Sequence, residues 1–304
     1  MLKKYKVRVP ATTSNMGPGF DCMGAALSLY NEIEVCIGLK KDCEAAIGVE
    51  GEGSSCLPKD EKNIVWQTMK MVFGLYGKKN YSLKNISLRM NNHIPIASGL
   101  GSSAAARLGG ILLAYKVIGR KINVDEVLKI GVKLEGHPDN IVPALLGGLC
   151  VSTMVNNEVK YVKLPAPKLK AVIVNPYFEL ETKKARKALP KKIKFSDAVF
   201  NVSRAVVMLA AIEQGKFEML RFCMEDKLHQ PYREKFIFGM RKVFEKAYRS
   251  GAYGAAISGA GPSLIALSSI NKADKIGKIM KDNWKKLGIN SRFYILDFDN
   301  SGAK

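Results

Sequence analysis

Within the 304 residues one segment has the composition of an anion cradle: Pro95, Ile96, Ala97, Ser98, Gly99, Leu100, Gly101, Ser102, Ser103, Ala104, Ala105 and Ala106. Small residues let backbone N–H groups approach phosphate oxygens, and a helix starting near Ser102 would add partial positive charge at its N-terminus. No Gly-Lys-Ser/Thr follows, so this is not a Walker A loop, and the cation that neutralises a triphosphate must come from elsewhere. Gly99 to Ala104 also satisfies the looser dinucleotide pattern G-x-G-x-x-A. Against that reading, His93 to Ala97 separates the pattern from any strand, and Arg120-Lys121 stands where an acidic ribose partner belongs. Taken alone, the loop is also explained as a glycine-rich helix entrance without a ligand.

Three further constellations could do chemistry. Pro10 to Asp21 packs turn formers around Asn15 and Asp21, an amide suited to a hydroxyl and a carboxylate suited to an ammonium group, or simply an Asx-type turn between strands. Glu135-Gly136-His137-Pro138-Asp139-Asn140 offers two carboxylates, an imidazole and an amide, with helix capping as its plain alternative. Ile257 to Ser263 is a second small-residue loop, read as a turn from a strand into a helix.

Positioning these residues requires a mixed fold. Met1 to Val9 and Ser28 to Gly38 read as strands, Asn63 to Tyr76 as a helix, and Leu83 to Met90 as a half-buried strand feeding the Pro95 loop. Ala104 to Ile118 reads as a long buried helix in which close packing would favour the Gly109-Gly110 pair. Strands return at Gly148 to Val155 and Leu169 to Val174. Between them the link Leu164-Pro165-Ala166-Pro167 places a domain join, dividing the chain into 1–164 and 165–304. Helices follow at Ser196 to Gln214, Lys216 to Asp226 and Gly239 to Ser250, then a strand-turn-helix from Ala255 to Lys285 and a strand at Arg292 to Asp297.

Composition excludes other classes. Six cysteines without a C-x-x-C pair and three scattered histidines lack metal-ligand spacing, and read as reduced thiols and a cytoplasmic setting. The apolar runs are too short to predict a membrane span, and the start of the chain has no secretion signal. The formal charge of +21 comes from lysines spread along the length, including Lys40-Lys41, Lys78-Lys79 and Lys191-Lys192. No nucleic-acid reader motif accompanies it, so neither nucleic acid nor membrane is the expected partner.

In order, Pro10 to Asp21, Pro95 to Ala106 and Gly259-Ala260-Gly261-Pro262-Ser263 resemble the three motifs of the GHMP family of small-molecule kinases, and the likeness spans nearly the whole chain. The resemblance implies a two-domain α+β fold: a ribosomal protein S5 domain 2-like N-terminal domain that binds ATP and a ferredoxin-like C-terminal domain, as a homodimer. It further implies transfer of a phosphoryl group from ATP, with Mg2+, to the side-chain hydroxyl of L-homoserine on the route to threonine. Residue by residue, Pro95 to Ala105 would wrap the nucleotide phosphates and Asn63 would lie near adenine. Ser102 or Ser103 with Glu135 would hold magnesium. Asn15, Asp21, His137, Thr182, Arg186, Arg233 and Gly259 would bind the acceptor, the two guanidinium groups taking its carboxylate. Asn15, Glu135, Asp139 and Asn140 form the implied catalytic set, with Asp139 positioning substrate rather than acting as a base. Arg107, early in the loop helix, has no role in this reading.

Overall fold

The computed structural model describes residues 3–38, 47–77 and 86–304. The strands are β1 (Lys3–Asn15), β2 (Gly19–Ile37), β3 (Ile47–Gly51), β4 (Ile86–Asn92), β5 (Leu149–Val155), β6 (Glu158–Leu164), β7 (Lys170–Pro176), β8 (Gly254–Ile257), β9 (Leu264–Ser268) and β10 (Ser291–Leu296). The α-helices are α1 (Ile64–Leu75), α2 (Ser102–Ile118), α3 (Val124–Glu135), α4 (Pro138–Leu146), α5 (Thr182–Lys187), α6 (Phe195–Glu213), α7 (Leu220–Cys223), α8 (Gln230–Arg233), α9 (Met240–Arg249) and α10 (Ile270–Lys286).

The first sheet runs β3-β4-β2-β5-β6, with β1 also paired to β2, and the second is antiparallel in the order β10-β7-β9-β8. The β1/β2 hairpin organises the first. Its register runs from Lys3 opposite Ile37 to Asn15 opposite Gly19, with irregularities after Pro10 and after Ser14. The second irregularity lets Asn15 and Met16 take positive φ, 66° and 46°, which non-glycine residues adopt only when their surroundings impose it. The turn therefore presents Asn15 and Asp21 side by side.

The helix predicted from Ala104 to Ile118 is α2, and most of its circumference is buried. That is why its apolar residues show no one-sided periodicity: a helix surrounded by protein has no solvent face to mark. Close packing explains Gly110, where an added Cβ would stand 2.8 Å from the Val65 carbonyl oxygen of α1. One continuous apolar core joins α2 and the first sheet to Ala171, Ile173, Ile265 and Leu267 of the second.

Several expectations need correction. The strand-turn-helix from Ala255 is a hairpin, β8 paired antiparallel to β9, followed by α10. β9 is buried along its whole length, and a short apolar run of that kind cannot be assigned to strand or helix by periodicity. β6, which pairs with β5 from Leu149–Leu164 to Val155–Glu158, escaped prediction because its exposed face carries charge. The helix expected from Lys216 to Asp226 is broken into a 3-10 turn and α7. There Asp226 accepts the backbone N–H groups of Leu228, His229 and Gln230 at 2.9, 2.9 and 2.6 Å and starts α8 instead. By composition α6 is long and apolar enough to cross a bilayer, which the short apolar runs did not suggest. Its inner side is nevertheless packed on the protein through buried Asn201, Met208, Ala211 and Ile212. Met1, Leu2, Cys43, Lys40-Lys41, Lys78-Lys79 and residues 83–85 of the predicted β4 lie outside the described residues. The five described cysteines are free thiols.

Candidate active site

The three motifs meet around the end of β1. Thr12 N–H donates to the Leu100 carbonyl at 3.1 Å and Gly259 N–H to the Ser14 carbonyl at 3.1 Å, while Ser263 N–H donates to the Ser98 carbonyl at 3.1 Å. Ser258 Oγ donates to the Gly99 carbonyl at 2.8 Å. The loop between β8 and β9 thus braces the Pro95 loop from behind. At Gly99, φ is +82° and an added Cβ would lie 2.1 Å from the Ser258 oxygen, so glycine is required there by both conformation and contact. The helix begins at Ser102, as predicted, and its first-turn N–H groups face the cleft lined by Ser98, Gly99, Gly101, Ser102 and Ser103. This is the geometry of an anion site at a helix N-terminus.

The opposite wall of the same cleft holds Asn15, Asp21, His137, Asp139, Thr182, Arg186, Arg233 and Gly259. Arg186, on α5, grips Asp21 with both arms of its guanidinium, Nη1 to Oδ2 at 2.7 Å and Nη2 to Oδ1 at 2.8 Å. That bond raises the Arg186 pKa above its ordinary value. Asn15 Nδ2 donates to the Gly259 carbonyl at 2.8 Å and Asn15 Oδ1 accepts from Asp21 N–H at 3.0 Å. The Gly259 carbonyl also accepts from Arg233 Nη1 at 3.0 Å. Arg233 is 1% exposed. Burial, then repulsion from Arg186, lowers its pKa to about 10, which leaves it a cation at neutral pH in want of an anion. Its Nε has no partner among the described residues.

Arg233 is set by His229, which the sequence reading did not single out. His229 is fully buried, with Nε2 2.7 Å from the Gly17 carbonyl and Nδ1 3.2 Å from Arg233 Nη1. A carbonyl can only accept, so Nε2 carries the proton and Nδ1 accepts from the arginine. Burial keeps this imidazole neutral by lowering its pKa. Its position directly before the Gln230-Pro231-Tyr232-Arg233 motif was the available signal.

Asn140 ties α4 to β1, accepting from Thr12 Oγ1 at 2.7 Å and donating to Ser14 Oγ at 3.0 Å. His137 is the N-cap residue of α4 and its Nδ1 bonds the buried Asp139 carboxylate. Burial opposes charge on His137, but that bond and the fields of Asp139, Glu135 and Asp21 outweigh it and raise its pKa. Asp139 is thus held by His137 rather than capping a helix. Asp21, His137 and Asp139 carry potential metal-ligand atoms within 4.8 Å of one another. Asp21 is committed to Arg186 and Asp139 to His137, so the hydrogen-bonded arrangement already satisfies them.

Glu135, at the end of α3, receives Ser103 Oγ at 3.2 Å and an ion pair from Arg107. Both contacts fall on Oε2. Oε1 is therefore the oxygen without a partner among the described residues, beside a serine hydroxyl and the start of α2. Hard oxygen donors of this kind suit magnesium, which takes one or two carboxylates and fills its remaining positions with phosphate and water. Arg107 acquires a role here, orienting Glu135.

Not every candidate lines the cleft. Asn63 is 1% exposed; its Oδ1 accepts from Val65 N–H at 3.0 Å as the cap of α1, and its Nδ2 donates to the Pro58 carbonyl at 2.8 Å. Its amide is spent on tethering the loop before α1. Pro95 and Ile96 line a neighbouring cleft with Glu52, Ser55, Cys56 and Tyr177. Leu100, Ala104 and Ala105 are completely buried and face the core. The Ser98 hydroxyl donates to the Pro95 carbonyl at 2.8 Å and shapes the loop.

A phosphate cradle facing a polar, charged cleft across two sheets defines a small-molecule phosphotransferase, and the comparisons name its class. The family description "GHMP kinases N terminal domain" matches residues 63–148 and "GHMP kinases C terminal" matches 208–286. The chain belongs to the GHMP kinase family. It is 42% identical over 297 residues to a homoserine kinase of Carboxydothermus hydrogenoformans, covering 98% of this chain and 95% of the relative. To that of Caldicellulosiruptor bescii it is 41% identical over 304 residues, covering 98% and 95%. The crystal structure of homoserine kinase from Cytophaga hutchinsonii superposes with a TM-score of 0.87 at 32% identity, covering 99% of this chain and 96% of that one. Within the family the chain groups with the homoserine kinases. Mevalonate kinase of L. major, at 16% identity and a TM-score of 0.73, shares the fold.

Proposed function

We propose that this chain transfers the γ-phosphoryl group of ATP to the side-chain hydroxyl of L-homoserine, giving O-phospho-L-homoserine and ADP. The observation that carries the reading is the facing of two walls: a helix N-terminus suited to phosphate, and a wall where Asp21 and Asn15 stand with Arg186 and Arg233. An amino-acid alcohol has one anion, one cation and one hydroxyl, and that wall offers a partner to each.

In this reading the triphosphate lies on backbone N–H groups of the loop residues that line the cleft, Ser98, Gly99, Gly101, Ser102 and Ser103, and the loop tethered by Asn63 flanks the adenine. Arg233 and Arg186 take the carboxylate, Asp21 the ammonium group, with Thr182, His137 and the Gly259 backbone closing the site. Because Arg186 is bonded to Asp21, acceptor binding inserts a zwitterion into an existing ion pair. Carboxylate and ammonium replace one another's partners without leaving a charge uncompensated.

Asn15, Asp139 and Asn140 then hold the hydroxyl in line with the γ-phosphorus. The new O–P bond forms as the bond to the β-phosphate oxygen breaks, and the hydroxyl proton passes to an oxygen of the transferred phosphoryl group and from there to solvent. Such a transition state is loose, so alignment and charge neutralisation supply most of the rate and a strong base is unnecessary. Mg2+, held by Glu135 with Ser103 or Ser102, would neutralise charge on the phosphate oxygens when bound.

We read residues 1–164 as the ATP-binding domain and 165–304 as the C-terminal domain, supported by the break between β6 and β7 where one sheet ends and the other begins. We also read the enzyme as a cytoplasmic homodimer; free thiols suit that compartment.

The test is a coupled ADP-release assay with a panel of alcohols. Turnover is expected with L-homoserine and not with mevalonate, galactose or shikimate. Turnover with one of those and none with homoserine would overturn the proposal.

A further inference from the structure

The outer face of α6 is apolar and uncovered. Phe195 is 85% exposed, Val202 64%, Val206 63% and Val199 52%. Spacings of four, three and four residues set these four in one stripe along the 19-residue helix. Val207 and Ile193, also exposed, widen it. Between Ala198 and Ile212 the single charged residue is Arg204, which lies over the Phe200 ring. The inner side is pinned by Asn201, whose Nδ2 donates to Asp226 Oδ1 at 2.7 Å and to the Pro18 carbonyl at 3.3 Å, and whose Oδ1 accepts from Lys227 N–H at 2.8 Å. A helix anchored this way does not span a bilayer; it offers one apolar face to something outside the chain.

We infer that this face is the contact of a two-fold homodimer, α6 of one chain packing antiparallel against α6 of a second copy. The inference locates the interface of the homodimer read above. Charge at the helix ends favours a second copy. Exposed Lys191, Lys192 and Lys194 stand at its start, while exposed Glu213 closes it and exposed Glu218 follows, with exposed Lys216 between them, so the start is the more basic end. A two-fold axis across the middle brings the lysine end of each chain onto the glutamate end of its partner, so the surface is complementary to itself, as an isologous contact must be. A stable interface buries about 800 Å² per partner, and the charged ends extend the apolar stripe toward an area of that size. Asn201, on the opposite side, joins the Pro18 turn to Asp226 and hence to the helix bearing Arg233, so the interface backs directly onto the acceptor wall.

Sedimentation velocity of the full chain over a hundredfold concentration range tests this. The wild type is expected to sediment as a dimer. Val202→Glu/Val206→Glu, at two exposed positions, is expected to be a monomer with an unchanged circular-dichroism spectrum. Lys191→Glu/Lys192→Glu and Glu213→Lys/Glu218→Lys should each dimerise at least tenfold more weakly alone, and mixing them should restore dimers as the heterodimer. A monomeric wild type would overturn the dimer itself. A dimer persisting in Val202→Glu/Val206→Glu would overturn the interface while leaving the dimer standing. A monomeric wild type that co-sediments with phosphatidylglycerol vesicles, and loses this in the same double variant, would assign the stripe to a membrane surface instead.

Discussion

Replacing Arg186 by alanine separates acceptor recognition from fold and nucleotide binding. The fork it makes on Asp21 joins side chains that are 42% and 32% exposed, and solvent screening leaves such a pair worth about 0–1 kcal/mol of stability. Little change in melting temperature is therefore expected. In the complex the same fork would meet the acceptor carboxylate. Hydrogen bonds to charged groups contribute about 1.5–3 kcal/mol each, and two of them, reduced for partial exposure, come to about 2–3 kcal/mol. At about 1.4 kcal/mol per tenfold, the KM for homoserine should rise roughly 30- to 150-fold. Among the described residues the hydrogen bonds and ion pair of Arg186 go to Asp21 and not to the phosphate loop, so the KM for ATP should stay within about twofold. The coupled ADP-release assay measures both constants and calorimetry measures ATP binding directly. A parallel rise in both KM values, or an unchanged homoserine KM, would refute the carboxylate role.

Other outcomes follow from the neighbouring contacts. Arg107→Met should raise the Mg2+ concentration for half-maximal rate about tenfold, because losing the outer partner of a metal-binding carboxylate typically costs 10–100-fold; an unchanged Mg2+ dependence would count against Glu135 as the ligand. His137 has a raised folded-state pKa, so its contribution to stability is complete below the ordinary value of about 6.5 and fades as pH rises through the folded one. Urea unfolding across that window should show a smaller pH dependence in His137→Gln than in the wild type. His229 acts with the opposite sign: its pKa is lowered to about 4, so stability is lost as pH falls from about 6.5 toward that value. His229→Gln should flatten that acid limb, while a KM rise for homoserine without one for ATP would mark its hold on Arg233.

Local chemistry made much of this protein legible before its structure. The start of α2 at Ser102, the paired amide and carboxylate of the first turn and the buried character of α2 all rest on residue type and spacing within a dozen positions. Those rules act at short range: a glycine accepts positive φ, a helix exposes its first N–H groups, and apolar runs seek burial. Tertiary structure alone decided which groups meet. Glu135 finds Arg107 across 28 residues, and Asn15 shares the Gly259 carbonyl with Arg233 from 244 residues away. No spacing rule reaches that far, because a hydrogen-bond donor takes whichever acceptor the chain path brings to it. The same holds for burial. The apolar residues of β9 and the outer stripe of α6 are alike in the sequence, yet one is enclosed by neighbouring strands and helices while the other faces outward. Hydrophobicity is a property of the residue, but what covers it is a property of the fold.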